Sequence, residues 1–228
     1  MRKWLKIVLW SITSLIAVFA IFGFAFYKRF VVHPPEYDFS NPKNLAESQL
    51  QDIEYLSLYP DYDKSFDTEE KRATFFLKLE ALKRKLPAPK AVFEMENAKA
   101  LAYADNGHTN ISSGARARRL NSVPLRFYWF KEGLFIILAM EGYEEFLGKR
   151  IVALNGIPPE DLLFKIKPWH GGTFEGLKAK SPLFFMSPEI LYAIGLGSTH
   201  NSIQISIEDE NKNILTRQIF ASKEEKDV

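Results

Sequence analysis

Hydrophobic and polar positions divide the chain into stretches of unlike character. From Ile7 to Tyr27, 21 residues carry no charge. At 1.5 Å per residue, a helix of that length reaches about 31 Å, against a bilayer core of about 30 Å. Ser11, Thr13 and Ser14 are its notable polar residues, and no face is polar, so a buried amphipathic helix does not fit. Trp4, Trp10 and Tyr27 stand near the ends, where aromatic belts form. A cleaved export signal has a shorter core, about 7–15 residues. Gly23-Phe24-Ala25 offers such a signal a small-x-small site, although bulky Phe26 and Tyr27 follow it. Residues 1–29 therefore read as a membrane anchor or signal segment, with membrane contact through residues 7–27. Three basic residues precede the apolar run and two follow it, which favours a soluble part outside the cytoplasm, in the cell envelope.

Helical periodicity governs the next stretch. His33-Pro34-Pro35 starts an extended linker over 30–40, because each proline restricts itself and the residue before it. Asn41-Pro42 reads as an N-cap with proline at the first helical position, and Ala46, Leu50 and Ile53 share a face of that helix. Asp67 and Glu70 have capping-box spacing before the apolar stripe Phe75, Leu79, Leu82 and Leu86, which Pro87 ends. A third helix follows Pro89, with Ala91, Met95, Ala98 and Ala102 on one face. Residues 41–104 thus form a small helical cap domain whose thin core gains from a neighbour.

After a junction at 105–122 the period changes to two. Val123–Phe130 and Leu134–Ala139, parted by Lys131-Glu132-Gly133, predict a hairpin. Ile151–Leu154 is a short strand ending in the turn dipeptide Asn155-Gly156, and Pro158–Ile166 a short helix. Two apolar helical pieces, around Phe174–Phe185 and Pro188–Leu196, precede a second hairpin built on Ile203, Ile205, Ile207 and Ile214–Phe220. The expected fold class is α+β: a β domain over 123–221 with a helical insertion, then a charged, frayed tail at 222–228. Phe127, Trp129 and Phe135 read as core, and Lys149 and Arg150 as a solvated strand edge.

Charge alters this picture at one point. The whole chain has 30 basic and 28 acidic residues, a net of +2. Arg2, Lys3, Lys6, Lys28 and Arg29 give the first 29 residues +5 with no acid, so the remaining 25 basic and 28 acidic residues net −3. The basic balance belongs to the anchor, and no nucleic-acid partner is expected. The absence of cysteine excludes disulfides, thiolate metal sites and a cysteine nucleophile. His33, His108, His170 and His200 lack ligand spacing, so neither a metal nor a cofactor is expected. Asn110-Ile111-Ser112 matches a glycosylation acceptor.

Two strings could carry chemistry. Asp105-Asn106-Gly107-His108-Thr109-Asn110 sits where the helical and β parts meet, a common place for sites. It equally suits a helix C-cap and turn. In Lys131–Ile136, a glycine beside an apolar strand can turn backbone N–H groups toward a carboxylate, and a strand edge at Gly133, Leu134, Phe135 and Ile136 can pair with a peptide. An ordinary hairpin turn fits the same residues.

In combination, Asp105–Thr109, Pro124–Phe130, Gly133-Leu134-Phe135 and Leu147–Gly156 resemble the N-terminal half of the tail-specific (carboxyl-terminal processing) serine peptidases and their tricorn-core-like relatives. The likeness runs from about residue 41 to 221. It implies that the β domain is PDZ-like and grips polypeptide C-termini, hydrophobic ones given the apolar strand, while a separate following domain cleaves them. That domain supplies a serine with a lysine base or, in the tricorn branch, with a histidine. His108 stands at the position of that histidine, a vestigial general base. The tricorn pattern has a serine before it, where this chain has Gly107. The sequence given ends at Val228, after the second hairpin, with no nucleophile segment. The expectation is a membrane-anchored, truncated or non-catalytic homologue that binds peptides. The alternatives are a structural envelope protein without ligand, or the N-terminal piece of a split peptidase.

Overall fold

The computed structural model describes residues 2–30, 36–111, 119–209 and 211–222. The His33-Pro34-Pro35 linker, Ser112 of the glycosylation motif and the tail from Lys223 lie outside them. The chain divides into two compact units, residues 1–38 and 39–228. The first contains one long helix, α1 (Arg2–Phe30), with a mean hydropathy of 2.4 over its most apolar window and none of that window buried. A span or a signal sequence would both look like this.

The second unit holds seven further helices among the described residues and a five-stranded sheet. α2 (Leu45–Ser57) starts at Asn44, whose side chain accepts the Glu47 N–H, not at Asn41. Asn44 wins because the proline after Asn41 is followed by two further non-helical residues. α2 buries Gln49 and Ile53, while Leu50 is exposed. α3 (Glu69–Lys83) is capped by Thr68, which accepts from Lys71 N–H. Asp67 instead pairs with the Lys71 ammonium at 2.8 Å. The stripe Phe75, Leu79 and Leu82 is buried as the periodicity predicts.

α4 (Lys90–Leu101) departs most from its sequence pattern. It buries Phe93, Glu94, Met95, Asn97, Ala98, Ala100 and Leu101, far more than one face. Phe93, Ala100 and Leu101 join Ile53, Phe66, Phe75, Leu79 and Leu82 in a helical core. Met95 and Ala91 instead pack into the core beneath the sheet. The helical and β parts therefore share a helix inside a single compact unit.

The sheet consists of β1 (Leu125–Phe130), β2 (Gly133–Ala139), β3 (Arg150–Leu154), β4 (Ser202–Glu208) and β5 (Ile214–Phe220), in that order and antiparallel throughout. Leu125, Phe127, Leu134, Ile136, Ile151, Ile203, Ile205 and Ile207 fill its inner face. Asn155 and Gly156, at φ 50° and 77°, make the two-residue turn that favours positive φ. α5 (Pro159–Lys165) follows. The expected Phe174–Phe185 helix is broken at Pro182 into α6 (Phe174–Lys180) and α7 (Pro182–Phe185); α8 (Pro188–Ala193) comes next. These helices cover the inner face. Ser122 bridges Ser222, drawing the start of β1 toward the end of β5. Arg150 is no solvated edge: it sits on an inner strand and pairs with Glu208 at 3.0 Å.

Candidate functional site

The His108 loop is built from both sides. α4 passes through a 3-10 turn, Ala102–Ala104, and Asp105 adopts left-handed backbone at φ 53°. Asn106 then folds the loop on itself: its Oδ1 accepts the His108 N–H at 2.9 Å and its carbonyl the Thr109 N–H at 3.0 Å. Its Nδ2 donates to Ser65 Oγ at 2.6 Å. The buried Thr109 hydroxyl donates to Asp63 Oδ2, while Asp63 Oδ1 accepts the Ser65 N–H at 2.8 Å. Burial pushes the Asp63 carboxyl up, but the hydrogen bonds from Thr109 and Ser65 outweigh it and hold the group below the ordinary carboxylate range. The Lys71 ammonium bonds the Ser65 and Ala104 carbonyls at 3.1 and 3.3 Å, tying the loop to α3.

From the other side, Gly171-Gly172 lies directly on the loop. A Cβ on Gly171 would come within 2.8 Å of Asn106 N, and one on Gly172 within 2.5 Å of Gly107 N. Gly172 N–H donates to Asp105 Oδ1 at 3.1 Å. The Lys180 ammonium, from the end of α6, donates to the Gly107 carbonyl at 2.5 Å, and Asn110 Nδ2 donates to the same oxygen at 2.8 Å. His108 itself is exposed. Among the described residues no hydrogen bond reaches its ring. A fixed loop thus presents an open imidazole to solvent. At Gly107 an added Cβ would meet only ordinary contacts, the nearest at 3.7 Å, so a serine would fit where this chain has glycine.

Gly133–Ile136 does not form the strand edge the sequence suggested. Leu134 pairs with Trp129 on one side and Ile151 on the other, and Phe135 with Tyr128 and Arg150. Ile136 N–H donates to the Lys149 carbonyl at 3.0 Å, and its carbonyl accepts from Gly148 at 2.8 Å. With both sides of Leu134, Phe135 and Ile136 paired, these three residues have no backbone left for strand addition. Gly133 keeps φ 137°, and a side chain there would meet Arg150 Nε at 3.0 Å. Arg150 thus packs against this glycine. Hydrophobic alternation identifies a strand but not its neighbours, which is why the pattern misled.

Among the described residues the sheet has two terminal strands, β1 and β5, and the edge of β1 is the one beside the helical insertion. α6 and α7 run beside it and are tied to it at two points. Trp129 Nε1–H donates to Ser181 Oγ at 2.8 Å, with Lys178 4.7 Å over the Trp129 ring. At the other end Val123 N–H donates to the Met186 carbonyl at 2.8 Å. Along this edge lies a groove of about 1240 Å³. Leu125, Arg126 and Tyr128 form its strand wall, and Ala179, Pro182, Leu183 and Met186 its helical wall. Glu189, the one acidic lining residue among those described, accepts the Asn121 N–H at 2.9 Å. Residues more than fifty positions apart make the two walls, so no local motif announces the groove.

No protein-family model matches the sequence, and no curated protein matches it. Among solved structures, mature CPAF complexed with lactacystin is similar, with a TM-score of 0.51 and 13% identity over 78% of this chain and 35% of that one. A second structure of mature CPAF gives a TM-score of 0.47 and 14% identity, over 78% and 34%. CPAF is a chlamydial tail-specific protease-like serine protease. This chain spans about a third of its length. The likeness is one of fold alone.

Proposed function

We propose that this chain is a membrane-anchored relative of the tail-specific serine peptidases, and that its sheet part is a PDZ-like module binding extended polypeptide ends. The groove along β1 carries this reading. A peptide laid there would gain main-chain hydrogen bonds from an unpaired strand edge, with alternate side chains against Leu183 and Met186. That wall suits hydrophobic C-terminal residues. Gly133–Ile136 supports the groove from the next strand instead of lining an edge. α1 provides the anchor. His108 is the residue that would act as general base toward a serine hydroxyl brought within about 2.6–3.2 Å by a separate catalytic segment.

Fluorescence polarisation with a labelled peptide ending in apolar residues tests the groove. The free acid is expected to bind, and Leu183→Asp to weaken it about tenfold or more while circular dichroism stays unchanged. Equal binding by Leu183→Asp would remove the groove. Equal binding of the acid and its C-terminal amide would remove carboxylate capture and leave the groove.

A further inference from the structure

The helical part carries an exposed row of tyrosines. α2 and the 3-10 turn Tyr59–Asp61 wind on continuously: Leu58 N–H donates to the Tyr55 carbonyl, Asp61 N–H to that of Leu58 and Tyr62 N–H to that of Tyr59. Tyr55, Tyr59 and Tyr62, four and three residues apart, have the spacing of one helix face. They are 40%, 40% and 39% exposed, while Ile53 and Pro60 point into the core. Phe39 sets its ring edge against Tyr55, with centroids 6.4 Å apart. A tyrosine ring joins an apolar body to a polar tip, and this combination favours the boundary between water and lipid.

Two further facts select the occupant. Residues 31–38 join the end of α1 to Phe39, so at full extension they reach only about 30 Å. Around the tyrosines, Asp52, Glu54, Asp61 and Asp63 face Lys64 and Arg72, the latter paired with Asp61 at 3.1 Å, and the net charge of −2 would be repelled by anionic headgroups.

We propose that Tyr55, Tyr59 and Tyr62 are a membrane-interface contact that seats the helical part at the headgroup level of a zwitterionic bilayer. The proposal rests on reading α1 as an anchor. The aromatic cluster on the sheet, exposed Tyr128 and Phe130 with half-buried Phe135, with neighbouring centroids 4.9 and 5.6 Å apart, takes no part in it and supplies the comparison position.

The chain has no cysteine, so Tyr59→Cys and Phe130→Cys each accept a single environment-sensitive fluorophore. The full chain is reconstituted in phosphatidylcholine vesicles containing a lipid with a shallow nitroxide, and vesicle flotation is scored on the same samples. Quenching at position 59 is expected to exceed that at position 130 about twofold or more, as for a side chain at headgroup depth. Tyr55→Ser with Tyr62→Ser should bring the two positions level. Should Tyr59→Cys fold poorly, Tyr55→Cys carries the same expectation. A floating chain with equal quenching at both positions, or with more at position 130, overturns the contact. A chain that does not float overturns the anchor reading, and the contact falls with it.

Discussion

The Arg119 guanidinium grips Glu94 with two parallel hydrogen bonds, Nε to Oε1 at 2.8 Å and Nη2 to Oε2 at 3.0 Å. The pair fastens α4 to the segment entering β1. The Glu94 side chain is only 10% exposed, whereas that of Arg119 is 39% exposed. Removing the arginine strands a nearly buried carboxylate. Arg119→Met should therefore lower stability by about 2 kcal/mol, less than for a fully buried pair because solvent screens the arginine end. Adding Glu94→Met should restore part of the loss. Urea denaturation of both variants measures this, and equal stability of Arg119→Met and wild type would contradict it.

Gly107 and Gly172 should respond in opposite ways. Gly172 has φ 84°, and a Cβ there would fall 2.5 Å from a backbone nitrogen that cannot move alone. Gly172→Ala is expected to cost about 2–3 kcal/mol, combining left-handed strain with overlap. Gly107→Ser, with no positive φ and only ordinary contacts, should change stability by less than about 1 kcal/mol. Thermal melts that rank the two variants the other way would refute the interlocked-loop geometry.

Asp63 gives the His108 loop a pH dependence of known sign. Its folded-state pKa lies below the unfolded one. Its stabilisation is therefore present above the unfolded value of about 3.9 and lost as pH falls through the folded value. Thr109→Val removes a hydrogen bond to the ionised carboxylate and lifts the folded pKa. Wild type should be more stable than Thr109→Val at pH 7, and the gap should narrow as the pH drops below 4. Urea midpoints across that range check the trend; a gap that widens in acid would be the wrong sign.

Both hydrophobic cores lie within residues 39–222. A protein beginning at Phe39 should keep one cooperative thermal transition. Calorimetry of that protein beside the full chain in detergent provides the comparison, and a broad or absent transition would show that α1 is needed for folding.

Periodic features were legible and relational ones were not. The Phe75, Leu79 and Leu82 stripe, both hairpins and the Asn155-Gly156 turn follow from spacing that a single segment contains. The caps lie one and three residues beyond Asp67 and Asn41, at Thr68 and Asn44, because the Lys71 ammonium holds Asp67 and the chain stays non-helical through Lys43 and Asn44. The spacing in α4 predicts a single apolar face, since its alanines and methionine carry little hydrophobic contrast. The loop string itself marks His108, yet Asp63, Ser65, Lys180 and Gly172, which hold that loop, lie up to about seventy positions away. The strand order that closes Gly133–Ile136 and opens β1 has no local signature, since alternation is the same on an inner and an outer strand.

α4 has one more implication. Because it supplies wall residues to both cores, the boundary suggested near residue 104 is not a place where chains could be exchanged. A recombinant joining this helical part to a foreign β domain would lose Met95 and Ala91 from their setting and bare the underside of the sheet. A graft taken from residue 123 onward would bare that underside too. Inheritance should thus have carried the His108 loop and the β1 groove together, with α4 as the part neither could leave behind.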